Sequence, residues 1–256
     1  MDDGCAQDIA AADRSFVDSF RKLVEHVADA ETRLIGGVMA YATGLPMSLF
    51  NGAVIVEPAT PSDLTDAIAW LAGRDIPFEI FVRTDLVDDL AATVAGHGLV
   101  AEPRPYPGMV ARPPAVPMPA APGVAVQRVG DGAALDGYRA VLITNGAPPE
   151  VAHRMFGTSW LADPDAQLLT GSVDGVAVAT GLAIRTGDVS GVYNIATHPA
   201  ARGRGVGTAV TAAAVEAGRS WGCDRVVLQA SPMGESLYRK MGFRTVVTYR
   251  SWTRAG

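Results

Sequence analysis

Apolar residues recur at helical spacing through Phe16, Phe20, Leu23, Val24 and Val27, which predicts an amphipathic helix over Asp13 to Ala30. Ser62 precedes Leu64, Ile68 and Leu71, a capped helix expected to stop at Gly73. The alternation of Phe78 to Val82 predicts a strand, and Thr84 or Asp85 then starts another helix that ends near Gly96 or Gly98. From Leu34 to Val56 the chain carries no charge, a length that spans a bilayer. Gly36, Gly37, Gly44, Pro46, Asn51 and Gly52 interrupt it, so the segment reads as two buried strands joined by turns and not as a membrane span.

Eight prolines between Pro103 and Pro122 fix too many φ angles and remove too many donors for a helix or central strand. The stretch reads as a semi-extended connector, with an edge strand at most over Gly108 to Arg112. Beyond it come a strand at Val124 to Val129 and helices at Gly132 to Ile143 and Pro149 to Phe156. Strands follow at Leu168 to Val173 and Val176 to Ile184, joined by the hairpin signal Asp174-Gly175, and at Val192 to Thr197 after a turn at Gly187-Asp188. A long helix over Val206 to Trp221, a buried strand over Val226 to Ala230, a helix around Ser236 to Met241 and a strand over Phe243 to Tyr249 complete the series. The element order is α/β or α+β, in two parts separated by the proline seam.

Composition narrows the classes. Of 256 residues, 48% are hydrophobic and 19% charged, which excludes disorder and fibrous repeats. A net charge of −6 argues against non-specific binding to nucleic acid and leaves a cationic amine unrepelled. Cys5 and Cys223 read as free thiols in a reducing compartment, and Met1-Asp2-Asp3 opens no export signal. A soluble cytoplasmic protein, monomer or homodimer, is the expectation. No metal-ligand spacing, paired carboxylates or nucleophile elbow occurs in the first half.

The chemistry concentrates where the Val192 to Thr197 strand runs into His198-Pro199-Ala200-Ala201-Arg202-Gly203-Arg204-Gly205-Val206-Gly207-Thr208. A helix start leaves backbone N–H groups unpaired at its positive end, the glycines admit a ligand close to the backbone, and two arginines add cationic donors. A pyrophosphate fits such a loop. Thr208 stands where a dinucleotide fingerprint needs its third glycine, and no lysine follows Gly207 as a P-loop requires. A Rossmann-type dinucleotide enzyme is therefore disfavoured.

The spacing Arg202-x-x-Gly205-x-Gly207 resembles the pyrophosphate loop of the GNAT superfamily of acyl-CoA-dependent N-acetyltransferases. Ile195 to Pro199 resembles the bulged strand before that loop, Ser231 to Tyr238 the second cofactor segment, and Tyr238-Arg239-Lys240-Met241-Gly242-Phe243 the Tyr-x-x-x-Gly-Phe ending. The four occur in family order over roughly Val124 to Trp252, about half the chain. The resemblance implies a GNAT fold, a mixed and mostly antiparallel sheet flanked by helices. It implies acetyl-CoA as cosubstrate and a small-molecule or peptide amine as acceptor, with no metal. Pantetheine would pair with the backbone at Ala196 and Thr197, and Ser231 would be a further contact. The pyrophosphate would sit on Arg202, Gly203, Arg204, Gly205, Val206, Gly207 and Thr208. An N–H near Ala196 would polarise the thioester, the amine would attack directly, and Tyr238 would protonate the leaving thiolate, with a phenol pKa near 10.

There are departures. Ser231 and Gly234 stand where the family often has Asn and Ala, and the Gly191 to Thr197 strand carries no Asp or Glu as general base. Tyr193 and Asn194 occupy it instead, expected to point to opposite faces, one into the cleft. With Asn145 they are the substrate-facing candidates. His153, Asp188, a water relay or an amine that arrives unprotonated are the options for the base, while His198 reads as a capping residue. Absence of a base leaves a non-catalytic acyl-CoA-binding or regulatory module as the alternative function. Gly44-Leu45-Pro46-Met47-Ser48-Leu49-Phe50-Asn51-Gly52 and Tyr106-Pro107-Gly108-Met109-Val110 resemble pieces of tandem GNAT proteins whose first half has lost its cofactor site. The division expected is a degenerate GNAT-like domain over residues 1–112, a linker over 113–122 and a catalytic domain over 123–256.

Overall fold

A computed structural model describes residues 3–112 and 121–254; most of the expected proline-rich linker, residues 113–120, lies outside the described residues. The first half forms α1 (Asp3–His26), β1 (Glu31–Ile35), β2 (Val38–Ala42), β3 (Asn51–Ile55), α2 (Pro61–Ala72), β4 (Glu79–Arg83), α3 (Val87–Gly96), β5 (Leu99–Ala101) and β6 (Tyr106–Ala111). The second forms β7 (Val124–Arg128), α4 (Gly132–Thr144), α5 (Pro149–Met155), α6 (Ser159–Ala162), β8 (Ala166–Val173), β9 (Val176–Thr186), β10 (Val189–Thr197), α7 (Val206–Ser220), β11 (Arg225–Gln229), α8 (Glu235–Lys240) and β12 (Arg244–Arg254).

The described strands join one twelve-stranded sheet in the order β1-β2-β3-β4-β12-β6-β11-β10-β9-β8-β7, with β5 also paired to β12. Pairing is antiparallel except at β3/β4 and β10/β11. Each parallel pair is bridged by one helix, α2 or α7, as a crossover between parallel neighbours requires. Residues alternate between two cores. Met39, Tyr41, Val54 and Phe81 pack with α1 and α4 to α6 on one face. Ala40, Ile55, Ile80 and Val82 pack against α2 and α3 on the other, where α7 and α8 cover the second half.

The seam between the halves is crossed by exchanged strands. β12 pairs with β6 over Arg244–Tyr249 and with β4 over Tyr249–Thr253, and its end also meets β5. β6 in turn pairs with β11. The strand expected at most at an edge is thus central. Proline forfeits only a donor, and the Pro107 carbonyl still accepts from the Ala230 N–H at 2.9 Å.

Other boundaries differ for local reasons. α1 starts at Asp3, ten residues before the expected Asp13, because its first turns are anchored by charge. Fully buried Asp8 accepts from Arg225 at 2.8 Å and from Arg112 at 3.1 Å, and pairs with Arg244. Asp13 accepts from Arg83 at 2.7 Å and from the Tyr249 hydroxyl at 2.8 Å. The cap of α2 is Thr60, not Ser62: Pro61 takes the first helical position and Asp63 closes a capping box. The Asp174-Gly175 turn has both residues at positive φ, as a two-residue hairpin demands. Cys5 and Cys223 are free thiols. No described helix is long and apolar enough to cross a membrane.

Candidate active site

β10 organises the site. Its pairing with β9 shifts register between Tyr193 and Ala196, and Asn194 takes the left-handed region at φ 52°, which marks a bulge. On its other side β10 pairs with β11 only over Val189–Gly191, so the two strands part just before the bulge. Beyond that point neither offers the other a ladder partner, while Ala196 and Thr197 stay paired to Thr180 and Ala179 of β9 along the border of the split.

The strand then enters a short 3-10 turn, Pro199–Ala201, where the His198 ring accepts from the Ala200 N–H at 3.2 Å. His198 is therefore a capping residue. Gly203 and Gly205 follow at φ 76° and 80°, a conformation that favours glycine, and Gly205 caps α7 without any side-chain hydrogen bond. A Cβ on Gly207 would lie 3.2 Å from Thr197 Oγ1, so the loop is already close to the strand. The N–H groups of Val206, Gly207 and Thr208 head a fifteen-residue helix at its positive end. Arg202 is held by its Nε on the Thr197 carbonyl at 3.3 Å, and Arg204 lies 3.8 Å from Asp174.

The corresponding end of α2 is closed. Asp63 accepts from the Thr60 N–H at 2.9 Å and the Thr60 hydroxyl receives the Asp63 N–H at 3.2 Å. The Thr60 N–H and the Thr60 hydroxyl, which also donates to the Asp63 carboxylate at 2.7 Å, hold that carboxyl below its usual range. A Cβ on Gly36 would fall 2.4 Å from that carboxyl. The chain's own carboxylate thus fills the anion position of the first crossover helix, whereas α7 has no such side-chain cap among the described residues and meets Ala121, which lies against Gly205.

A cavity of about 330 Å³ adjoins the split. Gln229, Ser231, Tyr238 and Asn194 line its near end; α1 roofs it with Phe16, Ser19, Phe20 and Leu23, and Leu49, Phe50, Phe81 and Tyr106 reach in from the first half. Tyr238 is buried, its ring edge-on to Phe243 at 6.0 Å, and a Cβ on Gly234 would sit 2.8 Å from it, so glycine there makes room for the ring. Burial pushes the Tyr238 phenol up to about 12, not near 10 as for a solvated tyrosine. The hydroxyl therefore stays protonated across the physiological range.

The structure gathers most of the sequence candidates and reassigns some. Tyr193 and Asn194 both line the cavity, because the bulge that follows Tyr193 and includes Asn194 breaks the strict alternation of faces. The Tyr193 hydroxyl donates to the Ser15 carbonyl at 2.8 Å, tying the bulge to α1, and burial pushes its pKa up to about 12. Asn194 donates to the Tyr138 hydroxyl at 2.7 Å. Asn145 ends α4, donates to the Val141 carbonyl at 2.8 Å and does not line the cavity. Ser231 Oγ accepts from the Gly234 N–H at 3.2 Å while still bordering the cavity. Exposed His153 is spent on the Pro149 carbonyl, and Asp188 on Arg14; neither reaches the cavity as a base.

Sequence reasoning missed Gln229, α1 as a roof, and Trp160. A polar residue closing the apolar run Val226-Val227-Leu228 was the available signal for Gln229; nothing local marked the others. Gln229 Nε2 is buried without a hydrogen-bond partner among the described residues.

Residues 142–243 match the model of the acetyltransferase (GNAT) family. These residues form a GNAT acetyltransferase domain. Among solved structures, a GCN5-related N-acetyltransferase from Kribbella flavida is similar over 95% of both chains, at 19% identity and a TM-score of 0.70. Another from Sphaerobacter thermophilus covers 86% of this chain and 82% of its own, at 16% identity and a TM-score of 0.62. A tandem GNAT protein from the clavulanic acid biosynthesis pathway covers 89% and 83%, at 16% identity and a TM-score of 0.58. At these identities the likeness is one of fold. No curated protein matches the chain by sequence.

Proposed function

We propose that the GNAT domain is an acetyl-CoA-dependent N-acetyltransferase acting on a small primary amine. The observation that carries this reading is the N-terminus of α7, capped by no described side chain, linked through Thr197 to the β10/β11 split and to a cavity that ends at Tyr238. Acetyl-CoA, a substrate here, supplies the acyl group. Its pyrophosphate would be held by Arg202, Gly203, Arg204 and Gly205 with the N–H groups of Val206, Gly207 and Thr208. The residues fit an anion: these donors have no side-chain cap, and Gly207 leaves clearance a Cβ would fill. The backbone at Ala196 and Thr197 would bind the pantetheine arm, and a bulge N–H would stabilise the oxyanion. Tyr238, protonated and buried, would give its proton to the leaving sulfur; the same apolar surroundings raise the thiol's affinity for that proton. No described residue lining the cavity is a carboxylate, lysine or histidine base, and in this reading the amine attacks in its neutral form.

The first half, residues 1–112, is in this reading a degenerate repeat of the same unit. Its support is the like order of β3-α2-β4 and β10-α7-β11 and the self-capped start of α2. Its task would be to shape the acceptor cavity through Leu49, Phe50, Phe81 and Tyr106. Calorimetry with acetyl-CoA tests the assignment. Binding is expected, and Gly207→Val should weaken it by about tenfold or more, since its side chain would fill the approach to the helix donors. Absence of binding, or equal binding by the variant, would refute it.

A further inference from the structure

The cavity beside Tyr238 differs in character from the rest of the surface. None of its described lining residues is Asp, Glu, Lys, Arg or His. Nine of the chain's seventeen aromatic residues line it. They come from every side: Phe16 and Phe20 from α1, Phe81 from β4, Tyr106 from β6, and Phe156 with fully buried Trp160 from the second half.

An alkylammonium entering such a chamber loses its hydration and meets no carboxylate, a cost that selects against the charged form. Aromatic faces attract cations, but that attraction would hold the amine protonated and so unreactive. No lining side chain can remove the proton. Gln229 adds an independent indication: its Nε2, buried at the near end and without a partner among the described residues, calls for an acceptor atom and is poorly matched to a donor-only ammonium.

We propose that the acceptor is an aromatic amine of low basicity, an arylamine that is uncharged at neutral pH, with its ring in the chamber. This rests on the acetyltransferase reading above and narrows it to a substrate class. The nitrogen lone pair attacks the thioester carbonyl carbon; the C–N bond forms and the C–S bond breaks, its electron pair leaving on sulfur. Sulfur takes the Tyr238 proton, and the proton shed by nitrogen passes to solvent, from which Tyr238 is reprotonated. The products are an anilide and coenzyme A, and the missing strand carboxylate is not needed. The chamber's volume, near the low end for ligand sites, suits one substituted ring.

The test uses the whole protein, acetyl-CoA and three amines of similar size: 4-methylaniline, 4-methylbenzylamine and cyclohexylamine. Thiol release at pH 7 should favour 4-methylaniline by about tenfold or more in kcat/KM. Its rate should be flat with pH near neutrality, while 4-methylbenzylamine gains roughly tenfold per pH unit as its neutral fraction grows. Ser19→Asp, which puts a carboxylate on the roof, should move the preference toward 4-methylbenzylamine. Without acyl-CoA, 4-methylaniline should quench tryptophan emission in the wild type and not in Trp160→Phe. Preference for either basic amine at pH 7 overturns the proposal, as does faster turnover with hexanoyl-CoA than with acetyl-CoA, which would assign the chamber to the acyl chain. Acetyl-CoA binding with no turnover of 4-methylaniline refutes the substrate class alone, whereas failure to bind acetyl-CoA refutes the reading beneath it.

Discussion

Asp8 sits at the start of the roof helix with no exposed surface and serves three arginines from three places: Arg112 just after β6, Arg225 in β11 and Arg244 in β12. Replacing it by Asn keeps the shape and removes the charge. Arg112 and Arg244 are more than half exposed and can turn to water, so they contribute little to the cost. Arg225 is different: its side chain is 9% exposed, and it would keep only Asp224 and Gln7. Breaking a buried pair from one side typically costs about 3–5 kcal/mol, and the remaining partners of Arg225 put Asp8→Asn near the lower end, about 3 kcal/mol. For a chain of this size each kcal/mol lowers Tm by about 2–4 °C, which gives a drop of roughly 6–12 °C. Differential scanning calorimetry at pH 7 reads it directly. Removing both charges, as in Asp8→Leu with Arg225→Met, should recover most of the loss, because an apolar pair carries no unpaired charge. Since α1 also supplies Phe16, Phe20 and Leu23 to the cavity, the single variant should raise the acceptor KM more than it lowers kcat. A melting point for Asp8→Asn within about 2 °C of wild type, or a double variant less stable than the single one, would refute the reasoning.

Tyr238→Phe should lower kcat by about 10²-fold or more with acetyl-CoA affinity nearly unchanged, and the wild type should show no alkaline loss from this phenol until pH nears about 12. Full activity in the variant would remove Tyr238 from the chemistry. Buried Glu79 has its pKa raised above the usual carboxylate range, chiefly by burial, so its ionisation destabilises the folded state at neutral pH. Glu79→Gln should therefore raise Tm at pH 7, with the gain shrinking as pH falls through the raised value and vanishing below that of the unfolded chain; thermal melts across pH check the sign. A fragment beginning at Ala121 lacks β6, the strand between β11 and β12, and should fail to give a folded near-UV circular dichroism spectrum. A soluble, active fragment would contradict the shared-sheet account.

Much of the second half was readable because its signals are local. The Asp174-Gly175 turn, the glycine spacing after Thr197 and the Tyr238 to Phe243 ending each dictate backbone geometry within a few residues, and each appears where expected. The first half was read less well. Thr60 displaced Ser62 as a cap because Pro61 and the reach of Asp63 settle that turn, a contest that propensity alone does not decide. The early start of α1 depends on Asp8 meeting Arg225, residues far apart in sequence, and β6 is central because β12 crosses to it. Gln229 and Trp160 belong to the cavity only through tertiary packing. What periodicity cannot reveal is which separately predicted pieces face one another across a shared space, and the acceptor chamber is built from such encounters.

The exchange of β6 and β12 bears on how the protein is made. β4 must wait for Tyr249–Thr253, about 166 residues further along the chain. At ribosomal speeds of about 5–20 residues per second, that leaves one edge of a β-rich apolar half unpaired for roughly 10–30 s. The early half therefore cannot mature as an autonomous foldon on the ribosome. Completion is a late, long-range event with a high loop-closure cost, and in the interval the open edge of β4 is a target for chaperones or for a neighbouring nascent chain.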